Sequence, residues 1–378
     1  MQRARRIATT VLAALAASGC QRRVVVPCTE PRPAAAPAPR GDEVTLRFDY
    51  AGAEAMIAAL ERDALSDAAV DSLLGVHGVG MTVDNVTRFF PEIDRADFRT
   101  AIQKFVRTGR IADEHGYFNL RRARSERGRI RALLTYLRGN ERAVLQRTLA
   151  TLAPYTPETG PLHLTAYFVA GGTSTGFVPD TPGNTAFYAN LADADGDCEG
   201  VLWNIAHETY HLVQKAALRR APGLAAVADS VESLPVPERT MAMVLLEGTA
   251  ELVADPNRSG GDGPMIARER AELRRDAEPA RVRENFAIFD TLFQRAARNE
   301  IGWPALRDRG FMSDPRFYAL GREMAQAIER DCGAACIRRL FEQPPVEFFR
   351  QYIRLYRSRP DIVGRFALET ERLLGMPP

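Results

Sequence analysis

Apolar residues recur every three to four positions over most of the chain, and every second position in three short stretches. The first spacing lines one face of a helix and the second one face of a strand. Residues Val44–Tyr50 alternate and predict a short strand. Helical runs follow at about Ala53–Asp63, Ser66–Leu74, Asp94–Thr108 and Ser125–Leu152, the last broken near Gly139-Asn140. Asp84-Asn85 and Asp94 read as helix starts. His77 stands in a glycine-spaced segment, Gly75 to Gly80, that predicts a flexible loop, and His115 reads as a turn residue. At Pro161 the period changes. Leu162, Leu164, Ala166 and Phe168 alternate with His163, Thr165, Tyr167 and Val169, a strand. Gly171-Gly172 and Gly176 read as a turn-rich link, and Thr185–Leu191 as a second alternating strand.

The acidic loop Asp193–Asp197 then feeds an amphipathic helix from about Val201 to Ala217. The loop begins like a calcium loop. Cys198 stands where that loop needs glycine, however, and the closing glutamate is missing. Negative charge ahead of a helix N-terminus is the better account. Further helices are predicted at Glu238–Val253, Met265–Ala297, Asp314–Asp331, Pro345–Arg357 and Asp361–Leu374.

The first residues add a destination. Arg3, Arg5 and Arg6 precede an apolar run, Ile7–Ala17, too short for a permanent membrane span. The run ends at Ala17-Ser18-Gly19-Cys20, which resembles the lipobox of bacterial lipoproteins. That resemblance implies a signal peptide over residues 1–19 and lipid on Cys20. It also implies attachment to the cell envelope, at the outer membrane by the rule for Gln21. A secretory signal with nearby cleavage is the alternative. Residues 20–42, with Pro31, Pro33, Pro37 and Pro39, predict an extended tether. The formal charge of +2 includes those three arginines; without them 47 basic residues face 48 acidic ones. Nothing there points to nucleic acid. Export makes disulfides among Cys28, Cys198, Cys332 and Cys336 plausible, and four cysteines allow about three pairings.

The candidate chemistry sits in His207-Glu208-Thr209-Tyr210-His211. Four residues apart on a helix, the two imidazoles share a face and can meet one ion. Glu208 stands about 100° further round, within reach of a water there. Such a site needs a third protein ligand, and His211 is the last histidine, so a carboxylate is expected. Asp229 and Glu232 are nearest in sequence. Glu247 and Glu251, four apart in the apolar run 238–253, are stronger candidates, because a buried carboxylate needs a partner. Gly248 is expected to let this helix approach the histidine helix.

His-Glu-x-x-His followed by Glu247-Gly248-Thr249-Ala250-Glu251 resembles the gluzincin-type zinc metallopeptidases, and the zinc-dependent peptidases of bacterial lipoproteins. The resemblance implies Zn2+ held by His207, His211 and Glu247, Glu208 as general base, and Glu251 orienting a histidine from behind. Tyr318, in a Tyr-x-x-Gly element, would act as oxyanion donor. Thirty-five residues separate His211 from Glu247, longer than the best-known spacers, so Glu251 and Glu232 stay open as ligands.

The expected fold is α+β and mainly helical. A small mixed sheet places an edge strand over a two-helix zinc site, with a helical N-terminal region at 43–155 and a catalytic region at 156–378. A peptide or protein substrate would pair with the edge strand, for which the second alternating stretch is the candidate. The alternatives are a non-catalytic envelope lipoprotein that keeps the fold as a binding or assembly factor, and a zinc hydrolase of esters or cell-wall amides.

Overall fold

The computed structural model describes residues 44–111 and 113–377. The expected signal peptide and tether, with Cys20 and Cys28, lie outside them. The architecture is mainly helical α+β with one four-stranded sheet, ordered β1-β2-β4-β3. Strands β1 (Val44–Asp49), β2 (Leu162–Val169) and β4 (Ala186–Asn190) are parallel neighbours, and β3 (Gly176–Phe177) joins β4 antiparallel.

Two sequence expectations change here. The alternating stretch Thr185–Leu191, now β4, is interior, and the edge strand beside it is β3, inside the segment predicted as a glycine link. Alternation finds strands with one polar face, and a strand of two residues is too short to show it. Phe177 of β3 stacks on Tyr188 at 4.7 Å, and Tyr188 stacks on Tyr167 at 5.2 Å, so one aromatic row crosses the sheet.

The segment 44–152 also carries helices α1 (Ala51–Leu60), α2 (Asp67–Gly75), α3 (His77–Phe89), α4 (Arg95–Thr108), α5 (Leu120–Gly139) and α6 (Glu141–Leu152). His77 is therefore not in a loop: it opens α3, and its Nε2 meets the Tyr188 hydroxyl at 2.8 Å. The glycines around it serve packing. A Cβ on Gly78 would stand 3.1 Å from Gly52 Cα of α1, and one on Gly80 would stand 2.8 Å from the Leu74 carbonyl oxygen. Asp84-Asn85 lies inside α3 and starts nothing; Asp84 pairs instead with Arg95 at 2.6 Å. Asp94 does cap α4, accepting from the Ala96 and Asp97 amides in a capping box.

The remaining helices are α7 (Cys198–Arg220), α8 (Ala225–Asp229), α9 (Val236–Val253), α10 (Pro264–Asp276), α11 (Pro279–Ala297), α12 (Trp303–Arg307), α13 (Arg316–Cys332), α14 (Ala334–Arg339), α15 (Val346–Ser358) and α16 (Leu368–Leu373). The expected helix at 361–374 shrinks to α16. The chain before it passes over the core instead: Tyr352 donates to the Gly364 carbonyl at 2.7 Å, and Gly364 lies against Phe286.

Two hydrophobic cores meet on α7. Leu202, Ile205 and Leu212 belong to the core of the sheet and the N-terminal helices. Ala206, Tyr210, Val213 and Leu218 belong to the core of α9, α11, α13 and α15. The helix read as amphipathic is thus buried almost all round, because different faces of it serve different cores. The acidic loop ahead of it is taken up by caps and arginine. Asp197 accepts from the Gly200 amide at 3.1 Å and the Ile266 amide at 2.9 Å, and Asp193 pairs with Arg122 at 3.1 Å. Cys332 and Cys336 form a disulfide where α13 stops at Gly333, whose φ is 75°. Cys198 is disulfide-bonded as well.

Candidate metal centre

Helices α7 and α9 bring three of the expected residues together. His207 Nε2 and His211 Nε2 are 3.1 Å apart. Glu247 Oε2 lies 3.2 Å from His211 Nε2 and 3.6 Å from His207 Nε2. Zinc with nitrogen and oxygen ligands at about 2.0–2.1 Å and tetrahedral angles needs those atoms about 3.3 Å apart. The triangle in the protein fits that requirement. The donor set, two imidazoles and one carboxylate, suits the same ion.

The His211 imidazole is held from behind by a hydrogen bond, and His207 has a carboxylate near its far nitrogen. Gln214 meets His211 Nδ1 through Oε1 at 2.8 Å, which leaves Nε2 facing the triangle. The Gln214 amide donates to the Leu246 carbonyl at 2.8 Å and to Thr249 Oγ1 at 2.7 Å. One fully buried side chain therefore ties the histidine helix to the glutamate helix on either side of Glu247. Sequence reading missed Gln214; the signal was a polar residue next to Lys215 in an otherwise apolar run, one turn after His211. His207 Nδ1 is buried with no hydrogen bond and faces Glu251 Oε1 at 3.8 Å. Glu251 thus lies behind a histidine and outside the triangle. The two other carboxylates weighed as ligands are engaged elsewhere: Glu232 with Arg88 at 2.6 Å and Asp229 with Arg219 at 2.6 Å.

Electrostatics in the cluster follow from burial and proximity. Burial works against a charge on His211, yet the Glu247 carboxylate outweighs it and pushes the pKa up to about 9. Burial would raise Glu247, but His211 and His207 hold it well below the usual carboxylate range. Burial lowers His207. Glu208 is pushed up to about 7, chiefly by burial. Burial, with Glu269 adding to it, pushes Glu251 up to about 8. A divalent cation in the triangle would leave Glu247 compensated.

Tyr318 comes to the cluster on α13. Burial, then the carboxylates of Glu247, Glu251 and Glu208, push its pKa well above the ordinary value, so its hydroxyl remains a donor. A cavity of about 190 Å³ opens beside it, lined also by Glu251, Glu269 and Arg322. The Tyr-x-x-Gly spacing has a packing cause. A Cβ on Gly248 would stand 2.2 Å from the Gly321 carbonyl carbon, and one on Gly321 would stand 2.4 Å from the Val244 carbonyl oxygen. Gly248 therefore serves the approach of α13, not that of the histidine helix as expected. The glycine pair sets α9 against α13 and carries Tyr318 to Glu247.

A family model described as "Putative zinc dependent peptidase (DUF5700)" matches residues 70–361, well over half of the chain. The chain belongs to this family. Comparison with curated proteins and with solved structures returned no match. Membership of the zinc-dependent peptidase family agrees with the donor triangle, which the match covers whole together with Glu208 and Tyr318.

Proposed function

We propose that the protein is a zinc-dependent peptidase whose ion is held by His207, His211 and Glu247, with Glu208 as general base. The observation that carries this reading is the triangle of donor atoms with Glu208 buried on the same helix. A zinc ion there supplies a Lewis acid for the scissile carbonyl and lowers the pKa of water to about 7. Glu208 accepts the proton of the attacking water on its carboxylate and returns it to the departing amine. Tyr318 donates its hydroxyl hydrogen to the oxyanion that develops on the carbonyl oxygen. Gln214 and Glu251 keep the imidazoles in the tautomers that leave Nε2 free. The edge strand β3 pairs with an extended peptide through its outer backbone groups.

The test is zinc content by elemental analysis together with peptide cleavage by the wild type and by Glu208→Gln. Stoichiometric zinc in both, with turnover lower by about 10²–10⁴-fold in the variant, supports the reading. Equal turnover in both sinks the role of Glu208. We further propose that lipid on Cys20 anchors the enzyme to the cell envelope. Cys20→Ser should then leave the membrane fraction, and retention there would refute the anchor.

A further inference from the structure

The edge strand β3 is tied to α7 on both sides of its closest approach to Glu208. Before it, Asn204 Nδ2 donates to the Thr175 carbonyl at 3.1 Å. At the strand itself, a Cβ on Gly176 would stand 2.4 Å from Glu208 Oε1 and 2.9 Å from Asn204 Oδ1. Only glycine lets the backbone lie that close to the carboxylate. After the strand, Lys215 Nζ donates to Asp180 Oδ1 at 2.7 Å. Asp180 is braced further by Arg88 of α3 at 2.5 Å. Lys215 is buried, and it is one of two lysines in a chain that otherwise uses arginine.

Asn204, Glu208, His211 and Lys215 fall within a narrow stripe of α7, because steps of four, seven and eleven residues return to nearly the same angle. The clamp and the chemistry therefore share one face. Thr175 and Asp180 flank the strand, so the segment is tied to the helix on both sides of Gly176.

We propose that Asn204, Lys215 and Asp180 are positioning residues. They hold β3 along α7, so that a peptide paired with the strand presents its carbonyl at the height of Glu208. The part that concerns the peptide rests on the peptidase reading above; the part that concerns the strand does not.

The test therefore reads the strand directly. Removing one partner of a buried ion pair leaves the other uncompensated. The double variant Asp180→Asn/Lys215→Met is thus made beside the single Lys215→Met, and Asn204→Ala loosens the opposite tie. Amide hydrogen exchange at residues 176–178 is measured in the zinc-loaded protein, with zinc content and the circular dichroism spectrum as controls. The expected result is exchange faster by about tenfold or more, confined to this segment. The KM of a peptide long enough to pair with β3 should rise by about tenfold, against little change for a substrate too short to reach it. Unchanged exchange at 176–178 in the folded double variant and in Asn204→Ala overturns the clamp, even if peptides are cleaved. Faster exchange in a protein that cleaves no peptide upholds the clamp and refutes the peptidase reading.

Discussion

Replacing Gly321 by alanine tests how Glu247 is placed. The added Cβ would stand 2.4 Å from the Val244 carbonyl oxygen and 2.9 Å from Gly248 Cα. Both are backbone atoms and cannot rotate away. Ordinary contact begins near 3.4 Å, so α9 and α13 must part by about 1 Å. Overpacking of this kind costs about 1–3 kcal/mol, and a backbone clash belongs at the upper end. Alanine returns about 1 kcal/mol of helix propensity, so a net loss of about 2 kcal/mol is expected. The displacement also reaches the site. Glu247 neighbours Gly248, and its Oε2 completes the triangle at 3.2 Å and 3.6 Å from the imidazole nitrogens. Metal–ligand distances tolerate about 0.2 Å, so zinc affinity should fall by more than tenfold. Urea unfolding of the chelated protein reads the first effect, and competition with a chromophoric chelator the second. Gly128→Ala is the control: it is exposed in α5 with nothing within 4 Å, and should stabilise by about 1 kcal/mol. If Gly321→Ala is as stable as the wild type and binds zinc equally well, the packing argument is refuted.

Two further outcomes follow from the site and its clamp. Glu251→Gln replaces the carboxyl facing His207 Nδ1 at 3.8 Å, and should weaken zinc binding by about 10–100-fold while the metal-free protein stays folded; unchanged affinity in the chelator assay would show that Glu251 does not orient His207. Burial works against the charge on Asp180, but Lys215 and then Arg88 outweigh it and hold its carboxyl below the usual range, with Glu232 and Arg239 completing the charged surroundings. A carboxyl whose folded pKa is depressed contributes stability above its unfolded pKa of about 3.9, and loses it as pH falls through the folded value. Urea midpoints at pH 6 and pH 3 should therefore drop further for the wild type than for Asp180→Asn, and parallel drops would refute the assignment.

Much of the site was legible because its signals are local. His207, Glu208 and His211 share one turn of helix, and no tertiary fact is needed to put the imidazoles side by side. Glu247 and Glu251 stood out as carboxylates in an apolar run. Choosing between them needed the rotation of α9 about its axis, which packing sets. That rotation turns Glu247 into the triangle and Glu251 towards the back of His207. Gly248 shows the limit plainly. Its missing side chain announced a close approach, but not to which helix, and the partner proved to be Gly321 of α13.

The N-terminal glycines misled for the same reason. Gly78 and Gly80 read as flexibility, whereas they admit α1 and the Leu74 carbonyl. The alternation at 185–191 revealed a strand but not its neighbours, since strand order depends on residues far away in sequence. Phe177 stacks on Tyr188 of β4, which is itself paired with β2.

By itself, the sequence determined the element types over long periodic stretches, the paired histidines with Glu208 between them, and a pair of carboxylates in an apolar run. These follow from spacings of a few residues, where backbone geometry alone sets which side chains are neighbours. Only the tertiary structure decided which carboxylate meets the imidazoles, that α7 is sheathed by two cores, and that β3 is the edge strand lying against Glu208. Those depend on the close approach of segments tens to more than a hundred residues apart, and complementary surfaces, not local period, decide which segments meet.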